Sequence, residues 1–165
     1  MVAIGAEAVD VVAVYENTFT ALTQKVAAVS LKGASVTEPD LQDGYVFVIY
    51  TNGAFESEIE CRIENPLFDR ISEGLNNGQK LSQDTKILYI TEYLNIICGR
   101  ALSSINGILK SASRLTVPKY LDKKEARLAT SYRHENWLGF TTEYGNMQVG
   151  LKYNYESTKE AQNYV

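Results

Sequence analysis

The chain has 165 residues, 45% of them hydrophobic and 22% charged, which suits one globular domain with a proper core. The formal net charge is −4 and lysine and arginine are scattered, so nucleic acid is not the expected partner. No apolar run approaches the roughly 20 residues that a bilayer-spanning helix needs, so no membrane partner is expected either. The N-terminal stretch "MVAIGAEAVDVVAVYENTF" lacks a basic start and is interrupted by Glu7 and Asp10, which argues against a secretory leader and for a cytoplasmic protein.

From about Glu7 to Ser30, apolar residues recur at Val9, Val12, Tyr15, Phe19, Leu22, Val26 and Val29. All steps are three or four residues, so this segment reads as a helix packed on one face. "KGASVTEPD" reads as a short extended piece and a turn. "GYVFVIYTNGAFESEIECRI" reads as a hairpin: two β-rich runs flank Asn52-Gly53, the pair that favours a tight type I′ turn. A short helix follows in "NPLFDRISEGLNNG", with Asn65 as N-cap, Pro66 in the first turn and Asn77-Gly78 at the end.

A long helix is predicted from near Ser82 or Asp84 to about Ser113, with an apolar stripe through Ile87, Ile90, Leu94, Ile97, Cys98, Ala101, Leu102, Ile105, Ile108, Leu109 and Ala112. After it, "RLTVPKYL" reads as extended. "ARLATSYRH" and "WLGFTTEYGNMQVGLKYNY" read as three strands, the last two joined at Gly145-Asn146. "KYLDKKEAR" (Lys119 to Arg127) is broken by Asp122 and Glu125, which suits a solvated loop. The expected organisation is one domain over residues 1–155 and a polar tail over 156–165. Its class is α+β: one largely antiparallel β-sheet packed with two long helices and a short one.

The polar side of the long helix carries an unusual set. At about 100° per residue, Glu92, Asn95, Gly99, Ser103 and Asn106 fall together opposite the apolar stripe, and Leu88 joins them on the solvent side. Glu92 and Asn95 are an i,i+3 pair and project side by side. Gly99 costs a helix about 1 kcal/mol relative to alanine, a cost explained by close approach of another backbone, from a partner or from a loop of the same chain. The spacing alone is common: Glu73 and Asn76 share it. Elsewhere the chemistry is sparse. Cys61 and Cys98 have no CxxC spacing and read as buried free thiols. His134 is the single histidine, with no nucleophile beside it. Trp137 and the 11 tyrosines read as core, strand-surface and interface residues. No phosphate-binding glycine loop and no zinc-protease motif occur.

"EYLNIICGRAL" resembles the signature helix of the CheC/CheX/FliY family of chemotaxis phosphatases. That pattern is Glu-x-x-Asn, an apolar pair, a small residue and glycine, matched in order by Glu92, Asn95, Ile96-Ile97, Cys98 and Gly99. Pro118 falls where the family has a proline beyond the helix, and the element order agrees over most of the chain. Members with two sites repeat the motif on another long helix. Here Glu73 and Asn76 lack the following apolar pair and glycine, so a single site similar to the CheX branch is expected. Two positions depart from the pattern: Leu88, where Asp or Ser is usual, and Arg100, where a small or amide residue is usual.

The resemblance implies a phosphatase acting on the aspartyl phosphate of a CheY-type response regulator. Asn95 would orient the attacking water and Glu92 would pair with the regulator's lysine. Leu88, Gly99 and Ser103 would contact the partner. No cofactor of its own is implied, because the regulator brings the Mg²⁺. A homodimer joined through sheet edges is also expected. The competing readings are a non-catalytic binding module of the same fold and a structural homodimer without a signalling role.

Overall fold

Alternation along the strands decides where the core lies. In the computed structural model, which describes residues 9–36, 40, 41, 43–121 and 131–155, seven strands form one sheet in which every ladder is antiparallel. They are β1 (Lys32–Val36), β2 (Tyr45–Asn52), β3 (Phe55–Ile63), β4 (Arg114–Leu115), β5 (Lys119–Leu121), β6 (His134–Thr142) and β7 (Gly145–Tyr155). The order across the sheet is β1-β6-β7-β3-β2-β4, with β5 also on β2. Opposed residues form rows such as Leu138–Val149–Cys61–Phe47 and Phe140–Met147–Ile63. These side chains are buried and make one apolar face.

Three helices close that face: α1 (Val11–Ala27), α2 (Asn65–Leu75) and α3 (Gln83–Leu109). From α1, Val11, Tyr15, Phe19, Leu22 and Ala27 enter the core; from α2, Leu67, Phe68 and Ile71. The longest helix contributes Ile90, Tyr93, Leu94, Ile97, Cys98, Ala101, Leu102, Ile105 and Leu109. At about 1.5–3 kcal/mol for each fully buried large aliphatic or aromatic side chain, this stripe fixes α3 far more strongly than its intrinsic propensity could. The hydroxyls of Tyr93 and Thr23 hydrogen-bond at 2.6 Å in the interior and tie α3 to α1.

The other face of the sheet is polar. Lys152 lies 3.7 Å from Glu58 and 3.6 Å from Glu135 across three strands. Arg62 pairs with Glu60 and sits over the Trp137 ring at 5.7 Å. Trp137 covers Gly150, whose missing side chain makes room for the indole. Residues 40 and 41 cross this face, their backbone N–H groups donating to Gln148 Oε1 at 3.1 and 3.3 Å.

Several sequence-based boundaries need correction, beginning with α1, which starts at Val11 and stops at Ala27, short of Ser30, where Ala28 turns left-handed. The Asn52-Gly53 turn is not type I′: Gly53 has φ +128°, but Asn52 stays at negative φ, and the strands close around Ala54. Gly53 is required there because a Cβ would meet Ser113 Cα at 2.9 Å. The N-cap of α2 is Glu64 rather than Asn65, and Glu64 Oε1 accepts from Asn146 N–H at 2.7 Å. The long helix stops at Leu109, short of Ser113, because Lys110 turns left-handed at φ +53°. The β6–β7 turn lies at Glu143-Tyr144, ahead of Gly145-Asn146. Of "ARLATSYRH", residues 126–130 fall outside the described residues, and β6 begins only at His134. The tail at 156–165 also lies outside them.

Both cysteines are buried free thiols, as expected. Burial pushes the Cys98 thiol up to about 12 and Cys61 well above the usual thiol range, so neither is a nucleophile at neutral pH. The core has one uncompensated polar atom among the described residues, the fully buried Tyr15 hydroxyl. An orphaned buried hydroxyl carries its desolvation cost without return. Tyr15→Phe is therefore expected to raise unfolding free energy by about 1 kcal/mol, read as a higher urea midpoint at unchanged slope.

Candidate functional site

The ends of α3 are built as carefully as its stripe. Ser82 caps the start, its hydroxyl accepting from Thr85 N–H at 3.3 Å, and Asp84 sits favourably in the first turn. Lys86 reaches back to α2, with Nζ 2.9 Å from Asp69 and 3.8 Å from Glu73, and the Asp69 hydrogen bond raises its pKa. At the far end the Asn106 amide donates to the Ser113 carbonyl at 3.0 Å and accepts from Ser113 N–H at 3.1 Å and the Ser111 hydroxyl at 2.9 Å. Asn106 is thus a structural cap, although it shares the polar face. The Ser113 hydroxyl in turn accepts from Phe55 N–H at 2.9 Å, which locks the helix exit to the β2–β3 turn.

On this fixed rod, the predicted site residues all face outward. Glu92 and Ser103 are exposed, Asn95 and Gly99 are half-buried, and Leu88 is 67% exposed. The side chains of Glu92, Asn95 and Ser103 make no hydrogen bond or ion pair with any described residue. The second Glu-x-x-Asn pair has the opposite fate. Glu73 is near Lys86, and Asn76 is the α2 C-cap, its carbonyl oxygen accepting from the Tyr89 hydroxyl at 3.3 Å and its amide donating to Gln79 O at 3.3 Å. Of the two such pairs carried by the described helices, one is thus consumed by the fold and one is left free; Glu143 and Asn146 share the spacing only across the β6–β7 turn.

The edge of the sheet flanks the Gly99 side of α3. Leu115 of β4 is the nearest neighbour that a Cβ on Gly99 would meet, at 3.9 Å. Thr116 then clamps the edge to β2: its N–H donates to Tyr50 O at 2.8 Å, and Tyr50 N–H donates to its hydroxyl at 3.0 Å. Val117 follows, 77% exposed, and Pro118 is buried where β4 gives way to β5. On the opposite side, towards α1, lies a feature the sequence reading missed. This is a cleft of about 250 Å³ between α1 and α3, with Glu92 on its wall. Its signal was Ile96: the apolar stripe uses Ile97, which leaves Ile96 outside it and 45% exposed.

His134 stacks on Tyr153 at 4.9 Å between centroids. No group of three or more histidine, cysteine or acidic side chains is placed to hold a metal among the described residues. None of the described helices is long and apolar enough to cross a membrane.

No family profile and no curated sequence matches the chain. Solved structures do. The chemotaxis protein CheX from Vibrio vulnificus superposes with a TM-score of 0.74 at 13% identity, over 88% of this chain and 97% of that one. The CheX-CheY-BeF3-Mg complex from Borrelia burgdorferi gives 0.66 at 13% identity, over 90% and 100%. FliY from Thermotoga maritima gives 0.56 at 11% identity, over 93% and 89%. The fold is an α+β architecture of the CheC-like kind. Within it, the chain has the arrangement seen in CheX.

The glycines of α2 and α3 separate packing from function. A Cβ at Gly74 would meet Ala27 O at 2.7 Å, so α1 demands that glycine. Gly99 would gain only an ordinary contact, and Gly107 would meet nothing within 4 Å. Gly99→Ala and Gly107→Ala are each expected to stabilise the free protein by up to about 1 kcal/mol, measured by denaturant unfolding. Unchanged or lower stability in Gly99→Ala would mean that the fold itself needs this glycine.

Proposed function

We propose that this chain is a single-site member of the CheC/CheX/FliY family, and that it accelerates hydrolysis of the aspartyl phosphate on a CheY-type response regulator. The observation that carries the reading is the outward Glu92–Asn95 pair, left without partners on a helix locked at both ends. The fold likeness to CheX, including a neighbour solved as a complex with CheY, supports it.

Hydrolysis of an acyl phosphate needs a water in line with the leaving oxygen, and catalysis is mainly positioning and electrostatics. Asn95 suits that task, because its amide accepts from water and donates to a phosphoryl oxygen without bringing a negative charge. Glu92 would be repelled by the phosphoryl group but pairs with the regulator's active-site lysine. That contact sets the register in which Asn95 enters the regulator's site. The Mg²⁺ arrives with the regulator, and no metal of the protein's own is required. Leu88, Gly99 and Ser103 form the contact surface around the pair, with Gly99 allowing close approach.

The test is turnover. Phosphorylated receiver domains from the host are incubated with the protein and loss of phosphate is followed. Acceleration of at least one receiver over its own hydrolysis is expected, and Asn95→Ala is expected to reduce it by about 100-fold or more. Absence of acceleration for every receiver overturns the enzyme reading in favour of a binding module. Full activity in Asn95→Ala overturns the site assignment.

We further propose that two copies pair through β1. Among the described residues the sheet has two edges, and Pro118 interrupts the β4–β5 edge, whereas β1 presents five continuous and mostly exposed residues. Light scattering at micromolar concentration is expected to give twice the chain mass, and a monomer mass would overturn this.

A further inference from the structure

The cleft beside Glu92 has no role in the reaction as described. It lies between Leu22 and Val26 of α1 and Tyr89, Tyr93 and Ile96 of α3, with Glu92 on the wall. At about 250 Å³ it is smaller than the usual 300–1,000 Å³ of pockets that enclose a whole small molecule. It is open on one side, and its size suits one inserted side chain. Two of its rim residues are apolar and wet, Val26 at 36% and Ile96 at 45% exposure, and Leu88 stands one turn before Glu92 at 67%. The Tyr89 hydroxyl donates to Asn76 at the end of α2 at 3.3 Å, which holds its ring on the wall and away from the space.

We infer that this cleft is an anchor pocket for the response regulator, and that it receives an apolar side chain lying next to the basic group that Glu92 engages. The inference rests on the phosphatase reading and deepens it by naming where specificity resides. Continuity carries it: the Glu92 side chain lines the cleft, so any protein surface that brings a cation to Glu92 also covers the opening. Charge narrows the occupant further. Glu92 is the single charged residue on the lining and has no partner among the described residues, which favours an apolar group flanked by lysine or arginine and disfavours an acidic neighbour. Asn95 would act on the phosphoryl group, while the cleft would choose whose phosphoryl group it meets.

The experiment uses host receiver domains activated with Mg²⁺ and beryllium fluoride, a stand-in for the phosphoryl group, and measures binding to the full chain by calorimetry. Val26→Ser and Ile96→Ser alter exposed positions and are expected to fold. Each is expected to weaken binding about tenfold or more, from loss of apolar contact area, with turnover at saturating regulator unchanged. Ile108→Ser, 40% exposed but far along the helix, serves as control and is expected to bind as the wild type does. Asn95→Ala is expected to keep binding while losing turnover, which separates the two proposals. A receiver bound equally well by Val26→Ser, Ile96→Ser and wild type overturns the anchor pocket even where phosphatase activity is found. Failure of every receiver to bind overturns it together with the functional reading, whereas binding that depends on Val26 and Ile96 without any turnover sustains the pocket and sinks the enzyme.

Discussion

The burial of one stripe of α3 is the constraint from which the site follows. Nine side chains of this helix, from Ile90 to Leu109, are driven into the core, and their spacing leaves no rotational freedom. A helix held in that way must present the opposite arc to solvent. Glu92 and Asn95 stand on that arc because of where Leu94, Ile97 and Cys98 must go. The polar clamps at both ends add precision rather than much energy: Ser82 and Lys86 fix the start, and Asn106 with Ser113 fixes the exit. Under the proposed reading the pair enters another molecule's reaction centre, where small errors in position are costly and such support matters most.

The Glu-x-x-Asn pairs of α2 and α3 show why spacing alone does not define a site. Both place an acid and an amide on adjacent positions of a helix. At the end of α2 the amide meets the Gln79 carbonyl and the Tyr89 hydroxyl, and the acid meets Lys86. Helix ends leave backbone groups unsatisfied and draw polar side chains inward. Glu92 and Asn95 lie well inside α3, where the backbone satisfies itself and makes no such demand. A free polar pair in mid-helix is thus the more informative one, and position within the helix distinguishes the two even before coordinates exist.

Much of this was legible because it rests on local periodicity. The stripe of α3 from Ile90 to Leu109, the outward set from Leu88 to Ser103, the β2–β3 hairpin and the buried thiols follow from patterns within a few residues of one another, whereas Ile108 and Ala112, which the rhythm also put in the stripe, are exposed. What was not legible depends on contacts distant in sequence. The helix ends at Leu109 where Lys110 turns left-handed, an exit that the Asn106 amide holds by bonding Ser113. The turn after Asn52 is shaped by Ser113, which no reading of an Asn-Gly pair could foresee. The charged outer face of β3 makes sense only once Lys152 and Trp137 arrive from other strands. The cleft was half visible: Ile96 had no place in the stripe, but Val26 and Leu22, which complete the opening, belong to a helix about 70 residues away in the chain.

Glycine placement gives an independent measure of what the fold does and does not ask for. Gly53 is demanded by positive φ and by Ser113, and Gly74 by the end of α1. These glycines cost chain entropy and return packing. Gly99 costs the helix its share of stability and returns nothing inside the monomer, where a methyl group would fit beside Leu115. A sequence optimised for stability alone would have alanine there. The local rule is broken on the same face as the unpaired acid and amide. Where several such departures coincide on one surface, with no compensation in the chain itself, the compensation is to be sought in a second molecule.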